Sequence, residues 1–290
     1  MLKIRVLILT LIISVILSSS IVNAGGTWRL DGLDLTQIRN FRVASSNTSA
    51  SAQLSAKSIP LLYDVLKRET LSNTPIYIVD LRQESHGLAN GVPVSWYEEH
   101  NHANLGKSVN DIEQDEMNRL KSILGKMVEF IPLGKHDEAT LSKLVMPIEI
   151  IQNEKSAAES AGFKYVRFSA ADMIFPEPAT VDEFIKFYFS LPQKYWLHFH
   201  CHAGHGRTTT FLVFYDILTY PDLSLEEIVQ RQYSLGGSDL LAVDSAEDWY
   251  SIKRRERAER LRLFYQYVQE QRESKFSTTW TEWISENAND

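Results

Sequence analysis

The sequence is poor in cysteine: Cys201 is the single one among 290 residues. One cysteine excludes an internal disulfide, so the fold cannot depend on the cross-links that stabilise many small secreted domains. A lone cysteine is usually a small buried hydrophobe. Cys201, however, stands in the stretch HFHCHAGHGRTTTF, among histidines, glycines and an arginine. These neighbours indicate a chemical role for the thiol.

The sequence also lacks an excess of positive charge, with 30 basic against 37 acidic residues and a net charge of −7. This balance gives no indication of nucleic-acid binding or of attraction to an anionic membrane. An anionic substrate must therefore be bound by a local basic pocket. Hydrophobic residues make up 44% of the chain, and its length suits one large domain with a sizeable core.

Long hydrophobic runs are scarce, and the one near the N-terminus covers only 12 residues, Val6 to Leu17. Lys3 and Arg5 precede this run, and the small residues Val22 to Ala24 follow it. This is the pattern of a secretory signal peptide, whereas a membrane anchor needs about 20 apolar residues. The pattern predicts a signal peptide over residues 1–24, a secreted or periplasmic location and no stable membrane insertion after cleavage.

Alternating strand and helix patterns predict an α/β fold with a largely parallel central sheet in one domain over residues 25–290. Residues 25–58 are polar and serine-rich, which predicts irregular structure, and residues 82–145 predict a small β-rich insertion. The predicted strands are 76–81, 164–170 and 195–200. The predicted helices are 59–69, 181–191, 207–218, 225–235 and one within 245–272.

Cys201 lies between a predicted strand and a predicted helix, and five residues separate it from Arg207. Gly204 and Gly206 allow the backbone N–H groups between them to turn inward and bind an anion. The N-terminus of the following helix adds partial positive charge, and Arg207 can bind two oxygens of a phosphate. The same positive field favours the nucleophilic thiolate of Cys201, to which Thr208 can donate its hydroxyl hydrogen.

The stretch HCHAGHGRT resembles the signature loop of the cysteine-dependent phosphatases. Further stretches, among them VDLRQESHG, VSWYEEHNHANLGKS, PLGKH and LPQKYWLHFHC, look like the protein-tyrosine-phosphatase-like phytases of bacteria. The resemblance implies a cysteine-phosphatase core with helices flanking the sheet and a small β-barrel-like insertion within 82–145. It also implies stepwise removal of phosphates from myo-inositol hexakisphosphate and other inositol polyphosphates, with no metal or other cofactor.

The resemblance also implies roles for individual residues. Cys201 matches the nucleophile, Arg207 the phosphate-binding arginine, and Asp172 the general acid, with Glu177 and Asp182 as reserve candidates. Basic residues near 253–257 match cationic contacts of the family. The remaining substrate-binding candidates are Arg42, Asp80, Lys135, His136, His202, Ala203, Gly204, His205 and Gly206. His202 and His205 depart from the family, which usually has a glutamate and an apolar residue there. We expect both histidines to face the pocket mouth and to carry charge at mildly acidic pH.

Three alternatives remain open at this point. His198, His200 and His202 imitate a metal-binding pair on a strand, as in a metal hydrolase. A non-catalytic module that binds phosphoinositides or phosphoproteins would need the same anion cradle. Within the phosphatases, a secreted phosphotyrosine or phosphoinositide phosphatase would share the chemistry and differ in the pocket around it.

Overall fold

The computed structural model describes residues 26–132 and 143–287. The expected signal peptide and the expected substrate residues Lys135 and His136 lie outside the described residues. The strands are β1 Thr27–Leu30, β2 Arg42–Val43, β3 Thr48–Ser51, β4 Ile76–Arg82, β5 His86–Ala89, β6 Val92–Tyr97, β7 Met127–Phe130, β8 Leu144–Pro147, β9 Ile151–Gln152, β10 Lys164–Ala170 and β11 Trp196–His200. The helices are α1 Ser58–Glu69, α2 Val109–Ile123, α3 Glu154–Ala161, α4 Pro178–Ser190, α5 Gly206–Thr219, α6 Leu225–Ser234, α7 Trp249–Gln271 and α8 Trp280–Asn287.

The central sheet has five strands in the order β10-β4-β11-β3-β2. Strands β10, β4, β11 and β3 are parallel, and only β2, at one edge, is antiparallel. The predicted α/β fold is therefore confirmed. Strands β4, β10 and β11 also agree closely with the three strands that hydrophobic runs predicted.

Strand β3 lies in the segment 25–58, so the prediction of irregular structure there is wrong. All four residues of β3 are buried, although three of them are hydroxyl residues. The hydroxyls of Ser49 and Ser51 each lie 2.9 Å from a ring nitrogen of His198 on the neighbouring strand β11. A buried strand satisfied by side-chain hydrogen bonds lacks the hydrophobic pattern that reveals strands.

A second, antiparallel sheet has the order β1-β6-β5-β9, and strands β7 and β8 form a two-stranded ribbon. Ile131, directly after β7, bridges to Arg29 of β1. The predicted β-rich insertion is thus wider than 82–145, because β1 and β9 join it from outside those limits. It also contains helix α2, whose first turn is capped by the hydroxyl of Ser108. Hydrogen-bonded pairing runs from β9 through β5, β6 and β1 to Ile131 at the end of the β7–β8 ribbon, and the segment after β8 returns to β9, in agreement with the barrel-like insertion that was expected.

Helix α5 is buried on all sides, which fits a sequence with only two charged residues, Arg207 and Asp216. Its Phe211 packs edge-on against Phe184 of α4, and its Phe214 packs against Phe264 of α7 with ring centroids 4.3 Å apart. These contacts fix the helix that follows Cys201. No helix in the described part of the chain is long and apolar enough to cross a membrane.

The carboxyl ends of β4, β10 and β11 lie side by side, because these strands are adjacent and parallel. Glu84, Asp172 and Cys201 follow these three ends within two residues. In sheets of this kind, ligands bind at the carboxyl ends of the strands. The topology therefore places the sequence motif and the expected acid at one edge of the sheet.

Candidate active site

The loop between Cys201 and α5 is held by donors that lie outside it. Each of its backbone carbonyls from His202 to His205 accepts a hydrogen bond, the first three from distant segments and the last from within helix α5. The donors, in the order of the carbonyls, are the backbone N–H of Gln53 at 3.1 Å, Nδ2 of Asn40 at 2.7 Å, Nη1 of Arg42 at 2.8 Å and the backbone N–H of Thr209 at 2.8 Å. Within the described residues, the N–H groups of 202–205 donate to no protein acceptor. Such a loop presents its N–H groups to an anion.

Gly204 is required by the geometry of this loop. Its φ is +75°, and a Cβ at this position would lie 2.6 Å from the backbone carbon and oxygen of Ser51. A side chain would therefore collide with rigid backbone in addition to the strain of the left-handed conformation. Helix α5 begins two residues later, so its N-terminal partial charge adds to the anion-binding field beside Cys201.

Arg207 is buried and held by the carboxylate of Glu84. Nη1 of Arg207 lies 2.6 Å from Oε2 of Glu84, and Nη2 lies 3.0 Å from Oε1. Nη1 also donates to the backbone oxygen of Ala170 at 3.2 Å. These bonds fix the plane of the guanidinium. Nε of Arg207 remains without a hydrogen bond, 3.4 Å from Oδ1 of Asp172.

Glu84 begins a chain of alternating buried charges. Nε of Arg82 donates to Oε1 of Glu84 at 2.9 Å, and Nη1 of Arg82 donates to Oδ2 of Asp31 at 2.8 Å. Burial raises the pKa of Glu84, but Arg207 and Arg82 together lower it by more, so the net pKa is well below its usual range. Burial likewise raises the pKa of Asp31, but Arg82 and His202 lower it by more, so both carboxylates are ionised, and the chain connects Arg207 to the end of strand β1.

The ring of His202 is directed at Asp31, so the expectation that it faces the pocket mouth is wrong. Nε2 of His202 lies 3.0 Å from Oδ1 of Asp31, and the side chain is 14% exposed. Burial and the nearby Arg29 lower the pKa of His202 to about 4, although Asp31 opposes this shift. His202 is therefore neutral at mildly acidic pH and connects the loop to the alternating charges.

Asp172, the expected general acid, lies beside Arg207. Its Oδ2 accepts a hydrogen bond from Nδ2 of Asn101 at 2.8 Å, and its Oδ1 accepts one from the backbone N–H of Met173 at 3.1 Å. Burial raises the pKa of Asp172, but Arg207 and the bond from Asn101 lower it by more. The expected rise in pKa from burial is thus outweighed in the free protein, and the carboxyl is ionised.

Several buried donors around the loop have no acceptor among the described residues: Nε of Arg42, Nε of Arg257 and Oγ1 of Thr208. Arg257 extends from α7, and its Nη1 lies 3.4 Å from the position of a Cβ added to Gly206. Burial lowers the pKa of Arg257, and Asp172 partly opposes this shift. Buried polar groups are almost always hydrogen-bonded, so these donors mark the loop as a site for an anion with several oxygens. Arg257 is one of the basic residues of the segment 253–257, and it lies beside the loop.

The remaining loop candidate, His205, is exposed at the start of α5. Its Nε2 lies 3.1 Å from Nδ2 of Asn40. Burial and the charge of Arg42 lower its pKa. Of the reserve acids, Asp182 accepts hydrogen bonds from the first turn of α8, including the N–H of Trp280 at 2.7 Å, and Glu177 is the exposed residue before α4.

Asp80 was expected to line the substrate pocket, but its side chain has no exposed surface. It accepts hydrogen bonds from the hydroxyl of Tyr165 at 2.7 Å and from the backbone N–H of Arg82, and Nε of Arg167 lies 3.1 Å away. Burial opposes ionisation, but His86 and Arg167 lower the pKa of Asp80 to about 2. Through these contacts, Asp80 stabilises the protein interior behind the loop.

The three histidines behind the metal-hydrolase alternative are separated in this geometry, and of the three His200 alone lies near a group with metal-ligand spacing. Among the described residues, one group of three has the spacing of metal ligands, namely Asp80, His86 and Glu154. Arg167 already lies against Asp80, and Nε2 of His86 lies 3.0 Å from Oε2 of Glu154. The three histidines that suggested a metal pair do not converge, since His198 contacts serines and His202 contacts Asp31.

Several residues of this site escaped the sequence analysis. They are Asp31, Asn40, Gln53, Glu84 and Asn101, all of which act by holding another residue. No local spacing connects them to the motif, since 123 positions separate Glu84 from Arg207 and 163 separate Asn40 from Ala203. The one available signal is position, because Glu84 follows the end of a predicted strand by only a few residues.

Comparisons with known proteins identify the family of the chain. The sequence model of the family PTPlike_phytase, described as "Inositol hexakisphosphate", matches residues 79–219. The chain is also similar to an effector protein, hopD2 of Pseudomonas syringae pv. tomato. The two are 26% identical over 228 residues, which cover 74% of this chain and 47% of the effector.

Two solved structures are more similar. A tandemly repeated protein tyrosine phosphatase-like phytase from Mitsuokella multacida has a TM-score of 0.85 and 35% identity, covering 90% of this chain and 49% of that one. A PTP-like phytase from Bdellovibrio bacteriovorus has a TM-score of 0.74 and 32% identity, covering 90% of this chain and 95% of that one. The chain thus spans about half the length of the effector and of the tandem phytase, and nearly all of the single-unit phytase. It belongs to the family of PTP-like phytases.

Proposed function

We propose that this protein is a phosphoric monoester hydrolase that removes phosphate from myo-inositol polyphosphates through a cysteinyl-phosphate intermediate. One observation carries the proposal. Cys201 stands at the base of a loop whose carbonyls are all hydrogen-bonded, three of them by distant segments, while Arg207 is fixed beside it by Glu84. This combination supplies a nucleophile, a cradle of N–H donors and an oriented guanidinium.

In the first step, the thiolate of Cys201 attacks phosphorus, a sulfur–phosphorus bond forms and the bond from phosphorus to the ester oxygen breaks. The loop N–H groups and Arg207 stabilise the charge on the three equatorial oxygens. The leaving alkoxide of an inositol is a poor leaving group, so Asp172 donates a proton to it. A bound dianionic substrate raises the pKa of Asp172 in two ways. It pairs with Arg207, which then stabilises the Asp172 carboxylate less, and its own negative charge repels that carboxylate. Both effects favour the protonated form of Asp172 in the complex.

In the second step, water attacks phosphorus and the sulfur–phosphorus bond breaks. Asp172, now ionised, accepts the proton of that water. The thiolate of Cys201 is released, and Oγ1 of Thr208, a buried hydroxyl without an acceptor among the described residues, is a suitable donor to it. The products are inorganic phosphate and the alcohol, and the enzyme returns to its starting state.

The substrate class follows from charge around the loop. Arg42 and Arg257 add two buried guanidinium groups beyond Arg207, which suits a substrate carrying several phosphates. A Mitsuokella multacida relative, with a TM-score of 0.84 and 35% identity, was solved in complex with myo-inositol-(1,3,4,5)-tetrakisphosphate. The proposal includes export from the cell, which the N-terminal pattern and the similarity to an effector protein support.

Phosphate release from myo-inositol hexakisphosphate and from a phosphotyrosine peptide, measured side by side, tests the proposal. We expect faster release from the inositol polyphosphate, activity that survives excess EDTA, and loss of turnover with a retained fold in Cys201→Ser. Preference for the phosphotyrosine peptide would assign the same chemistry to protein substrates. Substantial activity of Cys201→Ser on either substrate would overturn the covalent mechanism. Export is tested separately by locating the protein in cytoplasmic, periplasmic and culture fractions.

A further inference from the structure

The turn Glu99–Asn101, between β6 and α2, contains two consecutive residues in the left-handed region. His100 has φ +57° and Asn101 has φ +62°. Met173, directly after Asp172, is also left-handed, with φ +67°. Residues other than glycine adopt this conformation at an energetic cost and keep it where their surroundings fix it, often at functional sites. The turn Glu99–Asn101 and the segment formed by Asp172 and Met173 are in contact with each other.

Asn101 makes that contact from a buried position, since it is 1% exposed. Its Nδ2 donates to Oδ2 of Asp172 at 2.8 Å. His102, the next residue, has its Nε2 3.0 Å from the backbone oxygen of Asp172. A carbonyl only accepts hydrogen bonds, so Nε2 of His102 must carry a hydrogen. The turn therefore binds both the carboxylate and the backbone of the expected acid.

The turn itself is anchored on two sides. The ring of His100 stacks on Trp249 in the first turn of α7, with centroids 3.7 Å apart and planes inclined by 6°. On the other side, Nδ2 of Asn104 donates to the backbone oxygen of Gln83 at 3.1 Å and to Oγ of Ser85 at 2.9 Å. The turn thus bridges α7 and the segment that carries Glu84, which makes it a rigid support for Asp172.

From this geometry we propose that Asn101 is a positioning residue for the general acid: it orients the Asp172 carboxylate toward the leaving oxygen and sets the pH range in which Asp172 donates its proton. This inference rests on the proposed phosphatase function. Asn101 supplies a neutral donor, so it stabilises the ionised carboxylate without adding a charge that would compete with Arg207. A hydrogen bond to a charged group is stronger than a neutral one, and loss of it shifts the balance toward the protonated acid.

Charged and titratable groups reach Asp172 from each element around it. They are Arg207 of α5, Glu84 after β4, His202 in the signature loop, Arg257 of α7, Tyr97 of β6 and His102, whose Nε2 faces the backbone oxygen of Asp172. All of them are retained when Asn101 is replaced. A shift in the pH profile on replacing Asn101 is therefore attributable to the lost hydrogen bond.

The test compares Asn101→Ala and Asn101→Asp with the wild type on an inositol polyphosphate and on an aryl phosphate. In Asn101→Ala, we expect the basic limb of kcat/KM for the inositol substrate to move up by about one pH unit. We expect kcat on that substrate to fall about 10- to 100-fold, because the acid is misplaced. The aryl phosphate should lose much less, because its leaving group needs little protonation. Asn101→Asp adds a like charge beside Asp172 and should move the basic limb further than Asn101→Ala.

Asn153→Ala is the matched control, since Asn153 is an asparagine that caps helix α3 and makes no contact with Asp172. It should lower thermal stability, affect both substrates alike and leave the basic limb in place. In an Asp172→Asn background, Asn101→Ala should cause no further loss on the inositol substrate. Equal losses on both substrates with an unmoved pH limb, or additive losses in the double variant, would overturn the inference. An inactive wild-type protein would instead overturn the proposed function, so the two failures are distinguishable.

Discussion

Glu84 and Arg207 form a buried bidentate pair, with Oε2–Nη1 at 2.6 Å and Oε1–Nη2 at 3.0 Å. The pair holds the guanidinium of the signature motif in one plane before any ligand binds. Donors that are oriented in advance stabilise a transition state without reorganisation. Arg82 binds the same carboxylate, so Glu84 separates two arginines that would otherwise repel each other.

Glu84→Gln removes the negative charge between these arginines and preserves the shape of the side chain. We expect the free energy of unfolding to fall by about 3–5 kcal/mol, because the two buried cations Arg82 and Arg207 lose the anion that they share. Turnover should fall by roughly 10²-fold in the molecules that remain folded, since Arg207 loses its orientation. Urea unfolding and steady-state kinetics measure the two effects. Glu183→Gln, at an exposed position on α4, is the control; a stable and fully active Glu84→Gln would contradict the orienting role.

Asp172→Asn should separate substrates by the quality of their leaving groups. The variant keeps a side chain of the same size but has no proton to donate. General acid catalysis contributes about 10²- to 10⁴-fold, so we expect a loss of that size on an inositol phosphate and a much smaller one on an aryl phosphate. In the wild type, kcat/KM for the inositol substrate should fall with rising pH, because Asp172 of the free protein has a lowered pKa and is ionised. The variant should lack that dependence; equal losses on both substrates would assign the acid elsewhere.

The sequence predicted the parts of this fold that depend on local pattern. Buried hydrophobic strands such as β4 and β11 have a pattern that short windows detect. The spacing from Cys201 to Arg207 likewise fixes a loop by itself. Strand β3 escaped because its hydroxyl residues are satisfied by His198, a partner more than a hundred positions away. Such hydrogen bonds exist only once the sheet has formed.

The two histidines that depart from the family pattern, His202 and His205, differ in their surroundings for the same reason. Sequence placed both at the pocket mouth, because both occupy variable positions of the loop. Nothing near His202 in the sequence indicates Asp31, whose side chain is brought to the loop by the second sheet. A contact that depends on how two sheets pack together therefore cannot be predicted from the local sequence pattern. His205, by contrast, contacts the side chain of Asn40 and is exposed.

His202→Gln should change how stability depends on pH. Burial, followed by Arg29, lowers the pKa of His202 to about 4. Below the unfolded pKa of about 6.5, the unfolded chain therefore binds a proton that the folded chain does not, and stability falls as pH falls. The stability of the wild type relative to His202→Gln should decrease by up to about 1.4 kcal/mol per pH unit between about pH 6.5 and pH 4. Urea unfolding at several pH values measures this difference, and a difference that is constant with pH would contradict the buried neutral state of His202.

Arg257→Met should weaken binding of substrates with several phosphates. Arg257 is buried beside Gly206, and its Nε has no acceptor among the described residues. Loss of a charged hydrogen bond of about 1.5–3 kcal/mol should raise KM for an inositol polyphosphate by roughly 10- to 100-fold. KM for an aryl monophosphate should change much less. Arg262→Met, at an exposed position on the same helix, controls for the loss of one positive charge; equal effects of the two variants would remove Arg257 from the binding site.

His205→Val should flatten the pH dependence of affinity for polyphosphorylated substrates. In the free protein, burial and Arg42 lower the pKa of His205, whereas a neighbouring substrate phosphate raises it in the complex. Binding of a polyphosphate should therefore be accompanied by proton uptake, and KM should rise as pH increases through about 6–7. A monophosphate bound only in the loop should show little of this dependence. His202→Gln should keep the dependence, because His202 faces Asp31 and is already neutral in that range. KM measured against pH for both substrates in the three proteins decides the matter, and identical profiles for wild type and His205→Val would exclude a charge role for His205.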